Sequence, residues 1–440
     1  MRAFHWGLAR PMLMSRIPVN ANTRHVTNSM SFLTLGMIVC AVAIPLYVSW
    51  LTTRSFDIVA PGIITSAAAS WAAAMLALLA VRAVASFPGT RHFAYIIPAF
   101  FVSFGVTFGL LLLFRPIYSS VMLITAFGAS TLFAFVASLF GSRLPLTYFV
   151  VPFGNALTLR ETSDVHWVTL TTPELPAGDA HTAIVADLHY DFEPAWERMI
   201  AAAAISGRAV YHSKQVRESL TGKVELEHLS ENSFGSLLPN MAYRKLKRLV
   251  DIVSSIVALP LLALPLAIVA IAIRTESPGP ALFRQRRMGY RGKDFEVFKF
   301  RTMRVRGPAE SEARIEDAMT QADDHRITRL GKFLRRSRID EFPQIWNVLR
   351  GEMSWIGPRP EAIPLSEWYE CELPFYSYRH IVRPGITGWA QVNQGHVADL
   401  DSVHTKLHYD FYYIRNFSAW LDLLIVLRTV QTMLTGFGSK

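Results

Sequence analysis

Residues 243–287 read YRKLKRLVDIVSSIVALPLLALPLAIVAIAIRTESPGPALFRQRR, and this stretch settles what kind of protein the chain is. Its apolar core, Leu249 to Ile273, is long enough to cross the roughly 30 Å hydrocarbon layer at about 1.5 Å per helical residue. Two features argue against a simple crossing. Pro260 and Pro265 stand in the middle, where each removes a backbone donor and crowds the preceding turn. Lys245, Lys247 and Arg248 precede the core while Arg274, Arg284, Arg286 and Arg287 follow it, so both flanks carry the cationic mark of a cytoplasmic face. The expectation is a segment that enters the bilayer, bends near Pro265 and leaves on the same side. A fifth span kinked by proline is the other arrangement that lipid tolerates.

The surrounding composition agrees with a membrane protein. The 440 residues are 51% hydrophobic and 18% charged, below the roughly 25% charge of soluble domains, and the mean hydropathy is +0.26. So apolar a chain is not disordered, and two cysteines, Cys40 in an apolar run and Cys371 in a polar one, do not make a disulfide scaffold. Residues 25–142 hold only five charges, Arg54, Asp57, Arg82, Arg91 and Arg115. The uncharged stretches Ser31–Leu51, Ile58–Val81, Phe93–Phe114 and Ser119–Gly141 are each long enough to span. The first 24 residues carry Arg2, Arg10, Arg16 and Arg24 without an acid or a cleavage-site pattern, which reads as a cytoplasmic arm rather than a signal peptide. With the Arg82–Arg91 loop and Arg143 on the same side, the orientation follows.

From Leu144 to about Asn240 the pattern changes. LTYFVVPFG, HWVTLTT and TAIVADL read as strands, EPAWERMIAAAAISG as a helix and RAVYHS as a further strand. That order predicts a small α/β Rossmann-like domain with a parallel sheet. No GxGxxG follows the first strand, only Gly154 in VPFGN, so a dinucleotide site is not expected. The linker LSENSFGSLLPN closes the domain.

The net charge of +10 is local. Between Arg244 and Asp340 there are 21 Lys and Arg against 11 Asp and Glu, an excess equal to that of the whole chain. A basic stretch beside an entry into lipid points to anionic headgroups or phosphate-bearing ligands. Nucleic acid is the other usual partner of such a patch, and the membrane context makes it the poorer one.

Downstream, DDHRITRLGKFLRRSRIDEFPQIWNVLRGEMSWIGPRPE (323–361) is dense in groups suited to phosphoryl chemistry. Leu330, Phe333 and Leu334, then Phe342, Ile345, Trp346 and Leu349, fall at helical spacing. Two short helices meeting near Asp340 and Glu341 are predicted, with Pro343 early in the second, where its missing N–H is harmless. A helix N-terminus in a basic setting should keep both carboxylates ionised. An ionised Asp can attack phosphorus, and a neighbouring Glu can hold a Mg²⁺ that offsets diphosphate charge. On spacing alone a DE pair beside proline is more often a solvated helix cap.

From Lys247 to about Gly436 the chain resembles the bacterial sugar transferases, the monotopic phosphoglycosyl transferases that start polysaccharide and glycoconjugate assembly. The resemblance rests on KRLVDIVSS, SPGPALFRQRRMG, FEVFKFRTM, RITRLGKFLRRSRIDEFPQIWNVLRGEMSWIGPRPE, RPGITGWAQV and YDFYYIRNFSAWLDLLIVLRTV. The spans and α/β domain upstream resemble the long-form members. The resemblance implies transfer of a sugar 1-phosphate from a UDP-sugar to undecaprenyl phosphate, with release of UMP. It implies that Asp340 is the nucleophile of an aspartyl-phosphosugar intermediate and that Glu341 helps to bind Mg²⁺. Lys299 and Arg301 in KFRTM, Arg359 in GPRP and Arg383 in RPGITGW then become candidate phosphate clamps, each against the simpler reading of a surface ion pair. The family's hairpin bends at a Ser-Pro pair, whereas this chain has Ala263–Leu264–Pro265, so the bend would rest on Pro265 with Pro260 assisting. NQGHVADLD after GWAQV departs from the SGRN-like continuation of many relatives, and the sugar stays open.

His404 and His408 stand at metal-ligand spacing, but no Glu follows His404 as a zinc protease motif requires, and a solvent-facing pair is the plainer reading. The expected organisation is a cytoplasmic arm (1–30), a four-helix transmembrane bundle (31–143), the small α/β domain (144–240), a re-entrant membrane helix (241–276) and a mostly α catalytic domain at the membrane interface (277–440). The chain is expected in the bacterial inner membrane with its catalytic domain on the cytoplasmic face, in contact with lipids, as a possible homo-oligomer and without a nucleic-acid partner. The rival from another class is a catalytically lapsed scaffold or regulator of polysaccharide assembly.

Overall fold

The computed structural model describes residues 29–53, 61–84, 92–140, 147–161, 166–176, 182–225, 239, 241–304, 326–394 and 399–435. The N-terminal arm, the loop positions Arg54, Asp57, Arg91 and Arg143, and nearly all of the linker before residue 241 lie outside the described residues. The chain divides into two compact units, the first running essentially to Val210 and the second from Tyr211 onward, with Asp187–His189 grouped in the second.

The first unit begins with four apolar helices. Helix α1 runs over Met30–Ile38, a π-helical turn Val39–Ala43 and Ile44–Thr53. The widened turn lies just before Pro45, whose ring and missing N–H a regular ladder would not accommodate. Helices α2 (Pro61–Val84), α3 (His92–Phe114) and α4 (Ser120–Phe140) follow. All four are long and apolar enough to cross a membrane. Their shared core joins Met37, Ala73, Ala74, Ala77, Ile96, Phe100 and Ala126. Small residues let the backbones approach, and the Ser103 hydroxyl donates across to the Ala73 carbonyl at 2.7 Å. A Cβ on Gly36 would lie 2.0 Å from the tip of the Phe133 ring, so a larger residue there would have to push that ring aside. Phe101, Leu113 and Ile124 are exposed on the outer faces, as lipid-facing positions require.

A four-stranded sheet follows in the order β2-β1-β3-β4, from β1 (Thr147–Val150), β2 (His166–Thr169), β3 (Thr182–Ala186) and β4 (Val210–His212). Strand β1 runs parallel to both β2 and β3. Helix α5 (Pro194–Ile205) buries Trp196, Met199 and Ala203 against Val151, Ile184 and Ala186. After β1 the chain enters a 3-10 turn, Gly154–Glu161, in place of the α-helix that would receive a dinucleotide pyrophosphate.

In the second unit, α6 (Ser213–Thr221) is docked by an Arg415–Glu218 ion pair at 2.6 Å. Beyond it, the Trp389 indole N–H donates to the Gly222 carbonyl at 2.9 Å. Helix α7 (Met241–Glu276) is continuous through Pro260 and Pro265. It is the fifth helix of spanning length among the described residues. Its N-terminal turns are anchored by Lys247 on Asp422 at 2.6 Å, and by Arg248 on the carbonyls of Val348 and Leu349 at 2.5 and 2.9 Å. Its C-terminal turns pack Leu266, Val269, Ala270 and Ile273 with Phe300 and Leu334. Between these anchors Ile256, Val257, Leu261 and Leu264 are exposed, the last two by more than 70%. A helix tied to one domain at both ends and bare in its apolar middle is not a soluble core helix.

The remainder is mostly helical around two small sheets. Strands β5 (Leu282–Met288) and β6 (Asp294–Phe300) form an antiparallel hairpin. Helix α8 (Arg329–Ser337), a 3-10 turn and α9 (Ile345–Arg350) lead to β7 (Ser354–Ile356). After α10 (Ile363–Glu372), β8 (Gly385–Thr387) pairs parallel to β7. Helices α11 (Trp389–Gln394), α12 (Leu400–Arg415) and α13 (Ala419–Thr435) complete the unit.

Candidate active site

Asp340 and Glu341 stand in the first turn of the 3-10 helix Ile339–Gln344. This differs from the expected pair of α-helices: Pro343 lies inside the 3-10 turn, and α9 begins only at Ile345. The cause is Arg338, which ends α8 in the left-handed conformation at φ 60° and ψ 14°. A residue so placed terminates a helix and redirects the chain, and with a Cβ it stores roughly 1–3 kcal/mol of strain. The acid pair thus follows directly on a strained hinge.

Neighbouring elements hold this loop still. Thr328 caps α8 by accepting the Gly331 N–H at 2.9 Å, and Glu276, the last residue of α7, accepts the Leu330 N–H at 3.0 Å. On the far side Asn347, fully buried, accepts the Phe298 N–H at 3.1 Å and donates to the Glu296 carbonyl at 2.6 Å. Asn347 therefore ties α9 to β6, the strand that carries Lys299.

Glu341 is 4% exposed and ringed by cations. Arg359 reaches it twice, Nη2 at 3.0 Å from Oε1 and Nη1 at 3.1 Å from Oε2. Arg338 lies 3.5 Å and Lys299 4.0 Å from Oε1, and the Gln344 amide donates to Oε2 at 3.3 Å. Burial alone would raise the Glu341 carboxyl, but Arg359, Lys299 and Arg338 outweigh it and hold it far below the usual carboxylate range. Asp340 goes the other way: burial and the Glu341 charge push its carboxyl up to about 6. Its Oδ1 is buried without a hydrogen-bond partner among the described residues. The expectation of two firmly ionised acids is met by Glu341 alone. Burial also brings the Lys299 ammonium down to about 7, against the pull of Glu341.

Arg359 owes its position to backbone packing. The turn after β7 and the RPGITGW segment lie backbone to backbone: a Cβ on Gly357 would meet the Arg383 carbonyl oxygen at 2.4 Å, and one on Gly385 the Gly357 nitrogen at 2.1 Å. Hydrogen bonds from Gly385 N–H to the Pro358 carbonyl and from Gly357 N–H to the Thr387 carbonyl, both 2.9 Å, lock the turn. Beneath it, buried Arg379 donates to the Arg359 carbonyl and to Asp410, each at 2.8 Å.

Four of the candidates, Asp340, Glu341, Lys299 and Arg359, are thus brought together. Arg301 and Arg383 have other partners. Buried Arg301 donates to the Ser277 carbonyl and hydroxyl and to the Pro278 carbonyl at 2.6–2.9 Å, which makes it a clip on the chain leaving α7. Arg383 donates to the Gly351 carbonyl at 2.8 Å and lies over the Tyr290 ring. Pro260 and Pro265 lie in α7. Arg338, Gln344, Arg379 and half-buried Arg287, which feels the charge of both Arg359 and Glu341, complete the electrostatic group. The sequence marks Arg287 only as a flank of the apolar core and does not single out the other three, although Arg338 stands in the same RRSRIDE run as the acids.

A cavity of about 560 Å³ has Glu341 in its lining. Its polar lining includes Glu341, Arg338 and Arg336 on one side and Lys247, Asp251 and Asp422 on another. Leu246, Val250, Phe342, Ile386, Val426 and Met433, from α7, α13 and the core, form the apolar remainder.

Comparison with known proteins fits this geometry. The family described as bacterial sugar transferase matches residues 242–436. The chain is 40% identical over 414 residues to the UDP-N-acetylgalactosamine-undecaprenyl-phosphate N-acetylgalactosaminephosphotransferase of Aeromonas hydrophila, covering 94% of this chain and 96% of that protein. It is 43% identical over 205 residues to the UDP-glucose:undecaprenyl-phosphate glucose-1-phosphate transferase of Caulobacter vibrioides, covering 46% and 74% respectively. An exopolysaccharide production protein of Rhizobium leguminosarum is 43% identical over 200 residues, which cover 43% of this chain and 96% of that one.

Proposed function

The chain belongs to the bacterial sugar transferase family, and from that premise we propose that it moves a sugar 1-phosphate from a UDP-sugar to undecaprenyl phosphate, releasing UMP. The observation that carries this reading is the buried, unpartnered Asp340 Oδ1 next to a Glu341 that is held by three cations and lines a largely apolar cavity. Asp340 attacks the phosphorus that bears the sugar, and the bond to the UMP oxygen breaks, leaving an aspartyl-phosphosugar. An oxygen of undecaprenyl phosphate then attacks the same phosphorus, forming the lipid diphosphate sugar and returning Asp340 as carboxylate. Splitting the reaction lets a soluble donor and a lipid acceptor use one nucleophile in turn.

Each residue has a task that its placement supports. Lys299 and Arg359 stabilise charge on the transferring phosphoryl group. Glu341 keeps those cations in register between turnovers. The cavity between α7 and α13 accepts the first isoprene units, with Arg338 and Arg336 meeting the lipid phosphate. An oxygen-only donor set with one unpartnered carboxylate oxygen fits Mg²⁺ bound along with a diphosphate. Glu341 would hold it once a donor engages Arg359, and the ion would offset the diphosphate charge. The paired anchors of α7 and its bare middle support a re-entrant helix that enters and leaves on one face, with Pro265, assisted by Pro260, kinking a helix that stays continuous. A lapsed scaffold would have no use for a strained hinge, an unpartnered acid and an ordered cation ring together.

The test is UMP release by purified protein given Mg²⁺, undecaprenyl phosphate and a panel of UDP-N-acetylgalactosamine, UDP-glucose and UDP-galactose. Release with one donor that depends on the lipid is expected. No release with any UDP-sugar would overturn the assignment.

A further inference from the structure

Asp187, His189 and His212 gather far in sequence from the acid pair. Asp187 directly follows β3 and His212 ends β4, so the three stand at the carboxyl end of strands in the small sheet, where open α/β sheets place their ligands. One nitrogen or oxygen from each lies within 4.8 Å of the others. His212 Nε2 is 2.8 Å from His189 Nδ1 and 3.7 Å from Asp187 Oδ1. Tetrahedral ligation at about 2.05 Å separates ligand atoms by about 3.4 Å, so small side-chain adjustments complete the set. Asp187 is buried and His189 is exposed, which leaves an outward position open.

We propose that Asp187, His189 and His212 form a binding site for a divalent transition metal, of the two-histidine, one-carboxylate kind that suits Zn²⁺ or Co²⁺. Such a mixed nitrogen and oxygen set excludes Mg²⁺, which demands oxygen donors. His212 has a second role. Its Nδ1 accepts the Lys214 N–H at 3.0 Å and so caps α6, which places its proton on Nε2, shared with His189. A metal takes that Nε2 position and the proton moves to Nδ1, which can then no longer accept from Lys214. Metal binding therefore loosens the first turn of the helix that Glu218 and Gly222 dock onto Arg415 and Trp389.

The test is a Co²⁺ titration of the full-length protein, purified without a histidine tag, read by visible d–d absorption and by hydrogen exchange at the α6 amides. One equivalent should bind with the intense bands of a tetrahedral site and should speed exchange at Lys214. The exposed His189→Gln variant should bind at least tenfold more weakly. A double variant of the other histidine pair, His404→Gln with His408→Gln on α12, should bind unchanged. Absence of bands in the wild type, the same bands in His189→Gln, or their loss in the α12 variant would overturn the proposal.

Discussion

Arg359 grips both oxygens of Glu341 in a two-pronged ion pair, at 3.0 and 3.1 Å, while the residue before Glu341 keeps a buried carboxylate oxygen unpartnered. One acid is saturated with positive charge, the other is the nucleophile we propose, and most consequences of the account follow from that division.

Replacing Asp340 should separate stability from activity. The carboxyl is pushed up to about 6, from about 3.9 in an unfolded chain. The folded state thus favours the neutral acid, a stabilisation complete below about pH 4 and lost as pH rises through 6. At pH 7.5 Asp340→Asn should be more stable than the wild type by roughly 1–3 kcal/mol, and the gain should vanish towards pH 4. Transfer should fall by at least about 10³-fold. Thermal unfolding at the two pH values and UMP release check both halves.

The pH profile should be bell-shaped in kcat/KM. Activity should rise as Asp340 ionises near 6 and fall as Lys299 loses its proton near 7 in the free enzyme. Lys299→Arg, which stays charged, should abolish the alkaline limb and leave the acid limb in place. Initial rates between pH 5 and 9 check this.

Arg359→Ala should lower kcat by about 10²–10³-fold through loss of phosphoryl stabilisation. Arg359→Lys should recover only part of it, because an ammonium cannot make two parallel bonds. Steady-state kinetics with the preferred donor would show it.

Arg301 should behave differently from Arg359. Its hydrogen bonds go to Ser277 and Pro278, so Arg301→Ala should cost about 2–4 kcal/mol of stability. The KM for UDP-sugar in the protein that remains folded should stay unchanged. A raised KM at unchanged stability would return it to the phosphate clamps.

Topology can be read with a cysteine at exposed Lys293 in a background with Cys40 and Cys371 replaced by serine. In intact spheroplasts an impermeant maleimide should fail to label Lys293→Cys and should label it after lysis. Labelling of intact spheroplasts would make α7 a fifth span.

What was legible in the sequence divides by physical cause. The four apolar helices and the strands around TAIVADL show in hydropathy and alternation, which are local signals. Asp340 and Glu341 show because a DE pair in a basic run is unusual chemistry and sits within the blocks of the family resemblance. The 3-10 turn does not show, because it depends on a left-handed Arg338 that no glycine announces. The carbonyl partners of Arg301 and Arg383 do not show in sequence, because an arginine beside a site and one bonded to a carbonyl share the same letter. Arg379 and Asp410 are missed for the opposite reason: their pairing spans 31 residues and exists only once α12 is packed.

The central claim is that Asp340 is the nucleophile, and trapping tests it most directly. Protein incubated with UDP-sugar and Mg²⁺ but no lipid acceptor, then quenched and digested, should carry a phosphosugar on the peptide containing Asp340, accompanied by stoichiometric UMP. The label should be absent from Asp340→Asn and should disappear when undecaprenyl phosphate is added before the quench. A label on any other residue, or lipid-dependent turnover by Asp340→Asn at the wild-type rate, would contradict the account.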